Sequence, residues 1–543
     1  MIRVSPISRR EALLLGAAAF PAMFSLTACS LPWDDGEETT LPPSSGDVLS
    51  DISPSDSSGY AVACECEEAT KVGEEILSSG GNAVDAAIAI GYVLGVTRPH
   101  ATGVGGGGGM VVYDIRSGES SFVDYYDASP SGIAVPQGTT CVPGFVRGME
   151  LAAQQWGTRS VSELIQPAID LAENGFKVTQ RLASIFSSYS NAISPIPCFA
   201  KDGNVLDEGD TLVQSDLART LALIRDLGPE GFYGGSVGND ICAAAGFTMD
   251  DLDAYQAHVR ETVSAACYGC TVHASPAPFG GSMVLQMLKM LEMLGTPSAQ
   301  DDPVRYLADL STVTAIASGV RSHYVADPDY VRVDNAWLVS DEFVRQLLET
   351  NGAGFEDVVD EEPVTTTAYS VIDANGLMAS VTNSLGDYFG SYRFVGGFFL
   401  NDHLYFSGLG VNTHTPGKRP RTNMSPCVVL GDSYAFSIGT PGGNRIPRVL
   451  SSVLHDILRG GASVQDAIEK NRALFLEGVL YLEDSDERES LVTDDAASSY
   501  TVIRRSGGDL FGSVHVSGRL SDGEGFVAND SRRKDTNNFA WLW

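Results

Sequence analysis

A β-hairpin in the second half of the chain is the feature that most constrains the fold. Residues 369–372 and 377–381 have strand-like alternation, and Asp373-Ala374-Asn375-Gly376 joins them. An Asn-Gly pair between two such runs is a strong hairpin signal. Earlier in the chain, apolar residues recur at helical spacing in four stretches: 67–77, 83–96, 161–174 and 216–227. Helices first and strands later, without regular β–α–β alternation, predict a layered α+β fold rather than a doubly wound sheet.

The chain is strongly acidic. Its 543 residues include 69 Asp and Glu against 35 Lys and Arg, which gives a formal net charge of −34 at pH 7. A surface of this charge repels phosphate backbones and anionic lipid headgroups, so we expect no nucleic-acid partner. The hydrophobic fraction of 43% is ordinary for a globular chain, whereas the 58 glycines are an excess that needs a reason.

Residues 1–29 have the pattern of an export signal. Ser8-Arg9-Arg10 precedes an apolar run that continues to Leu26, and Leu26-Thr27-Ala28-Cys29 resembles a bacterial lipobox. The paired arginines favour twin-arginine export, with cleavage before Cys29 and lipidation of its sulfur. Residues 30–58 are rich in Ser, Pro, Asp, Glu and Gly, which predicts a disordered tether and argues against a buried N-terminal helix. We therefore expect an exported chain, held by lipid at the outer face of the cytoplasmic membrane or in the cell envelope.

Two further patterns argue against a metal or phosphate site. Lipidation of Cys29 leaves eight cysteines, with close pairs at Cys64/Cys66 and Cys267/Cys270, and no histidine cluster accompanies either pair. For an exported chain this favours disulfides over zinc. The five consecutive glycines 105–109 lack both GKS/GKT and the strand–GxGxxG–helix context of phosphate-binding loops. We expect no metal ion and no organic cofactor.

Thr365-Thr366-Thr367 stands at the start of the predicted hairpin. By itself a threonine run indicates only strand propensity. However, the stretch TTAYSVIDANGLMASVTNSLGDYFGS, which begins at Thr366, resembles the nucleophile region of gamma-glutamyltranspeptidases. Six other stretches resemble motifs of that family in order: GGNAVDAAIA (80–89), PHATGVGGGGGM (99–110), VPGFVRGME (142–150), SPAPFGG (275–281), PGKRPRTNMSP (416–426) and GTPGGNRI (439–446). Seven ordered motifs over nearly the whole mature chain are far more specific than any single glycine-rich loop.

The resemblance implies a fold and a processing step. The fold would be the four-layer αββα sandwich of N-terminal-nucleophile hydrolases, and the precursor would cut itself between Thr365 and Thr366. A large subunit of residues 59–365 and a small catalytic subunit of residues 366–543 would then stay associated. In this family the glycine run 105–109 lets chain segments pass closely behind the site.

The resemblance also implies roles for individual residues. Once the chain is cut, the new α-amine of Thr366, with a pKa of about 7.7–8.0, would act as base to its own hydroxyl. Ser384 would hydrogen-bond that nucleophile, and Thr367 would support the end of the strand. The backbone of Gly442 and Gly443 would line the oxyanion site, where close approach of the substrate suits glycine.

The sequence departs from the family at positions that hold the acyl donor. Tyr126 stands in place of an arginine for the donor's α-carboxylate, and Gly386 in place of an asparagine. Tyr405 or Phe406 replaces the acid that holds the α-amine. The five resulting candidates for substrate binding are Tyr126, Gly386, His403, Thr422 and Asn423. Because a charge-assisted contact to a carboxylate is worth about 1.5–3 kcal/mol, losing the arginine would weaken binding of a γ-glutamyl group unless other residues compensate.

Three functions follow from these patterns. The leading prediction is a self-processing threonine amidohydrolase or acyltransferase that cleaves small-molecule or peptide γ-glutamyl amides, glutathione included, and passes the acyl group to water, an amino acid or a peptide. The alternative keeps the catalyst and changes the donor, as in cephalosporin and glutaryl acylases. The third is an envelope lipoprotein that binds a ligand and is never processed.

Overall fold

The structure is a computed structural model that describes residues 53–54, 59–132, 138–355, 365–408, 410–459, 462–485, 488, 491–506 and 509–536. All of them belong to one compact unit, Pro43–Trp543. The predicted export signal and the lipidated Cys29 lie outside the described residues. Of the predicted tether, 30–58, only Ser53–Pro54 is described, where Ser53 pairs with Val527 and Pro54 pairs with Phe526.

Twenty-two strands are present in the described residues. In chain order they are β1 (Ser53–Pro54), β2 (Ala61–Cys64), β3 (Gly107–Asp114), β4 (Glu119–Tyr125), β5 (Phe176–Lys177), β6 (Ala200–Lys201), β7 (Asn204–Val205), β8 (Thr211–Leu212), β9 (His258–Arg260), β10 (Val263–Cys267), β11 (Cys270–Ala274), β12 (Thr365–Ile372), β13 (Leu377–Gly386), β14 (Phe394–Val395), β15 (Phe398–Phe399), β16 (Cys427–Leu430), β17 (Tyr434–Gly439), β18 (Ala473–Leu476), β19 (Val479–Glu483), β20 (Val502–Arg505), β21 (His515–Leu520) and β22 (Gly525–Asn529).

Eighteen α-helices accompany them in the same described ranges. They are α1 (Glu67–Ser78), α2 (Ala83–Thr97), α3 (Phe145–Trp156), α4 (Val161–Leu164), α5 (Gln166–Asn174), α6 (Gln180–Ser188), α7 (Ser190–Ile193), α8 (Ser215–Leu227), α9 (Glu230–Tyr233), α10 (Gly235–Ala245), α11 (Met249–Ala254), α12 (Gly281–Met293), α13 (Pro303–Tyr324), α14 (Asn335–Leu338), α15 (Asp341–Glu349), α16 (Ile446–Leu458), α17 (Val464–Glu469) and α18 (Asp494–Ala497). Short 3₁₀ turns cover Pro197–Phe199, His403–Phe406, Gly410–Asn412 and Gly443–Arg445.

Two large antiparallel sheets form the centre of the fold. One has six strands in the order β2-β12-β13-β3-β4-β9, and the other has seven in the order β1-β22-β21-β17-β16-β11-β10. Their inner faces contact each other through β12 and β13 on one side and β17 and β21 on the other. Ser370 Oγ donates to His515 O at 3.2 Å and Ser380 Oγ donates to Ile438 O at 2.8 Å, so buried hydroxyls also join the two sheets.

Helices contact both large sheets. Helices α1, α2 and α3 contact the six-stranded sheet, α12 and α17 contact the seven-stranded sheet, and α16 packs against α12 and α17. Each group shares a buried apolar cluster with its sheet. Helix α2 is buried on nearly every side, and it begins at Ala83 because the Asn82 side chain accepts from the backbone N–H groups of Val84 and Asp85. The predicted α+β class is confirmed.

The predicted local elements are confirmed with one exception. The hairpin forms as β12 and β13, and the predicted helices at 67–77, 83–96 and 216–227 form as α1, α2 and α8. The stretch 161–174 was predicted as one helix, which is wrong: it divides at Ile165 into α4 and α5. Pro167 accounts for the division because it has no N–H and is tolerated only in the first turn of a helix.

The structure also decides the state of the cysteines. All eight described cysteines, including both close pairs, are free thiols, so the predicted disulfides are not found among them. Cys66 Sγ lies 3.3 Å from Thr97 Oγ1, and Cys270 Sγ lies 3.4 Å from Tyr434 Oη, so each pair has other polar neighbours. Within the described ranges, no helix is both long enough and apolar enough to cross a membrane.

Candidate active site

Thr366 lies at a break in the hairpin ladder. Thr365 pairs with Gly386 and Thr367 pairs with Asn383, so two residues of β13, Ser384 and its neighbour, oppose Thr366 alone. Such a bulge interrupts regular pairing and redirects side chains, and bulges are common beside active sites. All three threonines are buried, at 1% exposure or less. Thr367 Oγ donates to Asn383 O at 3.4 Å and so ties β12 to β13 just past the bulge.

Two hydroxyls converge on the carbonyl that precedes Thr366. Thr366 Oγ donates to Thr365 O at 2.6 Å, and Ser384 Oγ donates to the same oxygen at 2.7 Å. Gly386 N in turn donates to Ser384 Oγ at 2.9 Å, which fixes that hydroxyl. Thr365 Oγ donates to Gly386 O at 2.5 Å and closes the ring of bonds. The peptide bond between Thr365 and Thr366 is therefore the one whose carbonyl is held by two hydroxyl donors.

The glycine run 105–109 lies directly behind this bond. Gly107 pairs with Ser384 across β3 and β13. A Cβ atom at Gly105 would overlap with Phe399 O, and one at Gly106 would overlap with Ser384 O. Backbone segments thus approach each other too closely for any side chain, as the sequence analysis expected of this run.

Gly442 and Gly443 follow β17 at the same end of the two sheets. A Cβ atom at Gly439, the last residue of β17, would lie 3.3 Å from Ala368 Cβ, only two residues past Thr366. Gly442 and Gly443 have φ angles of 135° and 58°, which L side chains rarely adopt. They lead through a 3₁₀ turn into α16, so the N-terminus of that helix begins here. Free backbone N–H groups at such a terminus favour negative charge.

Tyr126 and His403 contact each other in the buried core beside the hairpin. Their ring centroids are 4.6 Å apart, and neither residue is more than 1% exposed. His403 Nδ1 is in close contact with Asp127 Oδ2, and Asp127 Oδ1 accepts from Gly144 N at 2.8 Å. Burial raises the pKa of Asp127, and the partner His403 opposes that rise. His403 Nε2 has no hydrogen-bond partner within the described part of the chain.

Asp402 occupies the space beside Gly386. A Cβ atom at Gly386 would overlap with Asp402 Oδ1, and Gly386 has a φ of 101°. Asp402 Oδ1 accepts from Asp387 N at 3.1 Å. Burial first, and then the nearby Asp387, raises the pKa of Asp402 to about 7, while His403 lowers it. A glycine is thus required at 386, and a carboxyl group fills the volume that a side chain there would take.

Arg445 brings a buried positive charge to the same loop. It is 6% exposed, and its Nε and Nη2 atoms have no hydrogen-bond partner in the described ranges. Burial, with Arg533 second, lowers the pKa of the Arg445 guanidinium to about 10, so it remains charged at neutral pH. Tyr388 and Asp387, which follow Gly386, also act on it electrostatically.

Thr422 and Asn423 lie against the loop that precedes α12. Thr422 N donates to Pro278 O at 3.0 Å. The next residue of that loop, Phe279, has its ring centroid 5.7 Å from that of Tyr126. The two residues thus support the wall of the site through Phe279 and Tyr126.

The structure brings together most of the predicted site residues and adds others. The hydrogen bonds and ring contacts above link Thr365, Thr366, Ser384, Gly386, Tyr126 and His403, whereas Cys29 lies outside the described residues. Asp402, Asp127 and Arg445 were not predicted. The glycine at 386 was the one available signal, since a missing side chain leaves room for another group. Within the described residues, no three His, Cys, Asp or Glu residues form a group that could hold a metal ion.

Comparisons with known proteins agree with this arrangement. A sequence model of the gamma-glutamyltranspeptidase family matches residues 69–541. The capsule biosynthesis protein CapD proenzyme of Bacillus anthracis is 37% identical over 434 residues, covering 79% of this chain and 81% of that protein. The glutathione hydrolase proenzyme of Bacillus subtilis (strain 168) is 31% identical over 506 residues, covering 82% of this chain and 85% of that protein.

A solved structure shares the fold at lower identity. Cephalosporin acylase from Bacillus halodurans superposes with a TM-score of 0.78 at 21% identity, covering 95% of this chain and all of that one. The family match spans most of the chain, and the chain aligns with most of the length of both relatives. This chain therefore belongs to the gamma-glutamyltranspeptidase family and is an enzyme of the gamma-glutamyltransferase type.

Proposed function

We propose that this chain is a self-processing threonine amidohydrolase that cuts itself between Thr365 and Thr366 and then cleaves γ-glutamyl amides such as glutathione. The observation that carries the proposal is the pair of hydroxyl donors, from Thr366 and Ser384, on the carbonyl oxygen of Thr365. Nucleophile and carbonyl of the same peptide bond are already in contact, which is the requirement for an intramolecular attack. The relatives named as proenzymes support a processed chain.

The cutting step needs no reagent other than water. Thr366 Oγ attacks the carbonyl carbon of Thr365, and the Oγ–C bond forms while negative charge collects on Thr365 O. Ser384 Oγ donates to that oxygen, so it stabilises the charge as it develops. The C–N bond then breaks, the nitrogen of Thr366 takes up the proton lost from its hydroxyl, and an ester remains. Water hydrolyses the ester to give a carboxylate on Thr365 and a free hydroxyl and α-amine on Thr366.

The same hydroxyl then acts on the donor. The α-amine of Thr366, with a pKa of about 7.7–8.0, accepts the proton of Oγ as Oγ attacks the γ-carbonyl carbon. The amide nitrogen leaves with that proton, and the γ-glutamyl group stays on Oγ as an ester. Water, or the amine of an amino acid or peptide, then releases it. The N–H groups of Gly442 and Gly443, at the beginning of α16, would stabilise the oxyanion of both steps.

Arg445 is suited to hold the donor's carboxylate in place of the family arginine that Tyr126 replaces. Its Nε and Nη2 atoms are buried without a partner among the described residues, and it acts on Asp387 and Tyr388 beside Gly386. An unpaired buried guanidinium is costly, so an anionic ligand at this place is favoured. Planar guanidinium–carboxylate pairing also fixes the orientation of the bound group.

The wider arrangement follows from the same proposal. We take the two stacked sheets with their helices as the four-layer αββα sandwich, with the large subunit at 59–365 and the small subunit at 366–543. Strands β12 and β13 of the small subunit pair with β2 and β3 of the large one, so the sheet would hold both subunits together after the cut. Export through the twin-arginine signal and attachment by a lipid at Cys29 remain part of the proposal.

A second function uses the same catalyst with a different donor. Tyr126 and His403 form a buried ring contact where the family has its arginine clamp. That contact would suit an acyl chain without an α-amine, such as a glutaryl group. Turnover of γ-glutamyl and glutaryl amides of one chromogenic amine separates the two functions, because only the γ-glutamyl enzyme requires the amine.

Maturation of Thr366 variants tests the proposal. Thr366→Ala removes the nucleophile, so the purified protein should remain one chain, whereas Thr366→Ser should still be cut into two. Thr367→Ala is the matched control, since its hydroxyl contacts Asn383 O and not Thr365 O, and it should mature. Two chains from Thr366→Ala would mean that the cut is made by another group, and the proposal would fail.

A further inference from the structure

A separate cavity lies at the end of the two sheets that carries the β12–β13 turn. The turns of four hairpins line it: β3–β4, β12–β13, β16–β17 and β21–β22. Its volume of about 470 Å³ is within the range of about 300–1,000 Å³ that is usual for small-molecule sites. Strand β12, which rises about 3.3 Å per residue, extends about 20 Å from Thr366 to this end. The cavity is therefore distinct from the site around Thr366.

Hydrogen bonds between the turns hold the cavity open. Ser521 N donates to Ser433 O at 2.9 Å, which joins two turns of the seven-stranded sheet. Arg519 of β21 connects that sheet to the β12–β13 turn, because its Nη1 donates to Ala374 O at 2.8 Å. Its Nε donates to Gly523 O at 3.1 Å and fixes the side chain along the wall. A ligand that enters a space of this kind has little of the protein left to order.

Two polar groups of the lining are available to a ligand. The Ser433 Oγ atom is buried and has no hydrogen-bond partner among the described residues. Arg519 is half-buried and donates only to carbonyl oxygens, and no carboxylate pairs with it in the part of the chain that the structure describes. By contrast, Arg116, which also lines the cavity, is mostly exposed and pairs with Asp114 at 3.5 Å. In a chain with a net charge of −34, an arginine without a carboxylate partner is suited to bind an anion.

The rest of the lining limits which anion fits. Tyr113 and Tyr434, each 8% exposed, supply aromatic surface that suits an apolar ligand body. Asp432 and Asp522 are exposed in two of the turns at the rim. Two nearby carboxylates repel a second negative charge, so phosphates and dicarboxylates are disfavoured. The lining thus fits a carboxylate of single charge with an apolar body.

We infer that this cavity is a second binding site, for a small monocarboxylate with an aromatic body. Arg519 pairs with the carboxylate, Ser433 Oγ donates to it, and the rings of Tyr113 and Tyr434 pack on the body. The inference does not depend on the proposed function, since the cavity lies at the other end of the sheets from Thr366.

Three probes that share a phenyl group test the chemical class of the ligand. In 3-phenylpropionate the body carries one carboxylate, in 3-phenylpropanamide it carries none, and in phenylsuccinate it carries two. Ligand-observed NMR titration of the purified wild-type protein should give a dissociation constant of about 1 mM for 3-phenylpropionate. We expect the amide to bind at least about tenfold more weakly, and phenylsuccinate about two- to fivefold more weakly. Equal binding of the acid and its amide, or tighter binding of phenylsuccinate, would overturn the inference.

Variants of the lining test where the ligand binds. Arg519→Gln should weaken binding of 3-phenylpropionate about tenfold or more. Arg459→Gln is the matched control, because it removes a half-exposed arginine that pairs with Asp301, and it should bind like the wild type. Binding that persists in Arg519→Gln and is lost in Arg445→Ala would overturn the inference, because the ligand would then lie near Thr366.

A second lining variant guards against a folding defect in Arg519→Gln. Ser433→Ala removes one hydroxyl, and it should weaken binding about two- to tenfold while thermal unfolding shows a folded protein. Amide turnover should be unchanged in Ser433→Ala, since the catalytic residues are at the other end of the sheets. Normal binding in both lining variants, or equal weakening in Arg459→Gln, would contradict the assignment of the site.

Discussion

The two ends of the β12–β13 hairpin use the same polar chemistry for different purposes. At the turn end, Asp373 Oδ1 accepts from Asn375 N and Leu377 N at 2.8 and 3.1 Å, and Oδ2 accepts from Ala83 N at 3.1 Å. At the open end, the ladder is broken by a bulge, and two hydroxyls share one carbonyl oxygen. The turn end satisfies its polar groups locally and fixes the strands to α2, whereas the open end keeps polar groups available for reaction.

This difference shows how one hairpin can serve both stability and chemistry. Regular pairing from Thr367 to the turn holds β12 in register, and the bulge then sets Thr366 apart from that register. Near the bulge, the buried atoms His403 Nε2 and Arg445 Nε have no hydrogen-bond partner within the described residues. Buried polar atoms normally have partners, so these two atoms are candidates for contact with a ligand. Variants at the two ends should therefore affect different properties.

Apart from the nucleophile Thr366 itself, the largest effect of a single hydroxyl is expected for Ser384→Ala. Loss of this donor to Thr365 O should slow maturation by about 10²–10³-fold, because one oxyanion donor is typically worth that much. The rate is measured as conversion of the single chain to two chains after synthesis. Ser380→Ala is the matched control, since its hydroxyl binds Ile438 O in the middle of the same strand. Equal maturation rates for the two variants would show that the bonds at the open end do not assist cleavage.

Arg445→Ala should weaken donor binding and leave maturation unchanged. A guanidinium–carboxylate contact of about 1.5–3 kcal/mol corresponds to a rise in KM of about 10–150-fold for a γ-glutamyl amide. Arg459→Ala, at the other end of α16, removes a half-exposed arginine that pairs with Asp301 and should have little effect on KM. An unchanged KM in Arg445→Ala would mean that the donor's carboxylate is held elsewhere.

Asp373→Ala tests the turn end. It removes the acceptor of three backbone N–H groups, so we expect the free energy of unfolding to fall by about 1–3 kcal/mol. Denaturant unfolding of the uncut Thr366→Ala protein, with and without Asp373→Ala, measures this change on a single chain. Maturation of the Asp373→Ala protein at low temperature should proceed at the normal rate. A block in maturation while the fold is intact would show that the two ends are not independent.

The smallest effect concerns pH, through Asp402. Its pKa is raised to about 7 by burial and by Asp387, so it loses its charge as the pH falls below about 7. We expect KM for an amine-bearing donor to rise by up to about tenfold per pH unit there, and Asp402→Asn to flatten this dependence. The other titratable groups that act on Asp402 or respond to it are His403, Tyr392 and Cys141. A profile that is unchanged in Asp402→Asn would assign the transition to the α-amine of Thr366 instead.

The same raised pKa predicts the sign of a stability effect. The unfolded carboxyl group has a pKa of about 3.9, so between about pH 4 and pH 7 the folded chain binds more protons than the unfolded chain. The contribution of Asp402 to stability is therefore full below about pH 4 and is lost as the pH rises through about 7. Asp402→Asn should gain stability relative to the wild type over that window, measured as the difference in unfolding midpoint. The opposite trend would contradict the raised pKa.

The sequence was sufficient to predict the parts of the site that depend on neighbours along the chain. The hairpin, the position of Thr366 at its start and the helix α2 behind a Gly-Gly-Asn turn all follow from local patterns that the structure bears out. The division of 161–174 could also have been read from Pro167. The ordered motifs predicted the family, which the family match confirms.

Contacts between distant segments could not be predicted in this way. Asp402 is distant in sequence from Thr366, and it meets Gly386 only because Asn401 anchors its segment to Gly105. The motif spacing instead placed the position of the family's acid at Tyr405 or Phe406, where no acid stands. Arg445 was missed for a related reason, because only the packed structure shows that two of its nitrogens lack partners.

The identity of the first residue of the small subunit tests the central claim most directly. Intact mass analysis of the purified protein, followed by N-terminal sequencing of the smaller chain, measures it. The account predicts two chains, with Thr366 as the first residue of the C-terminal one. A single uncut chain under folding conditions, or a cut at another bond, would contradict the assignment of Thr366 as nucleophile.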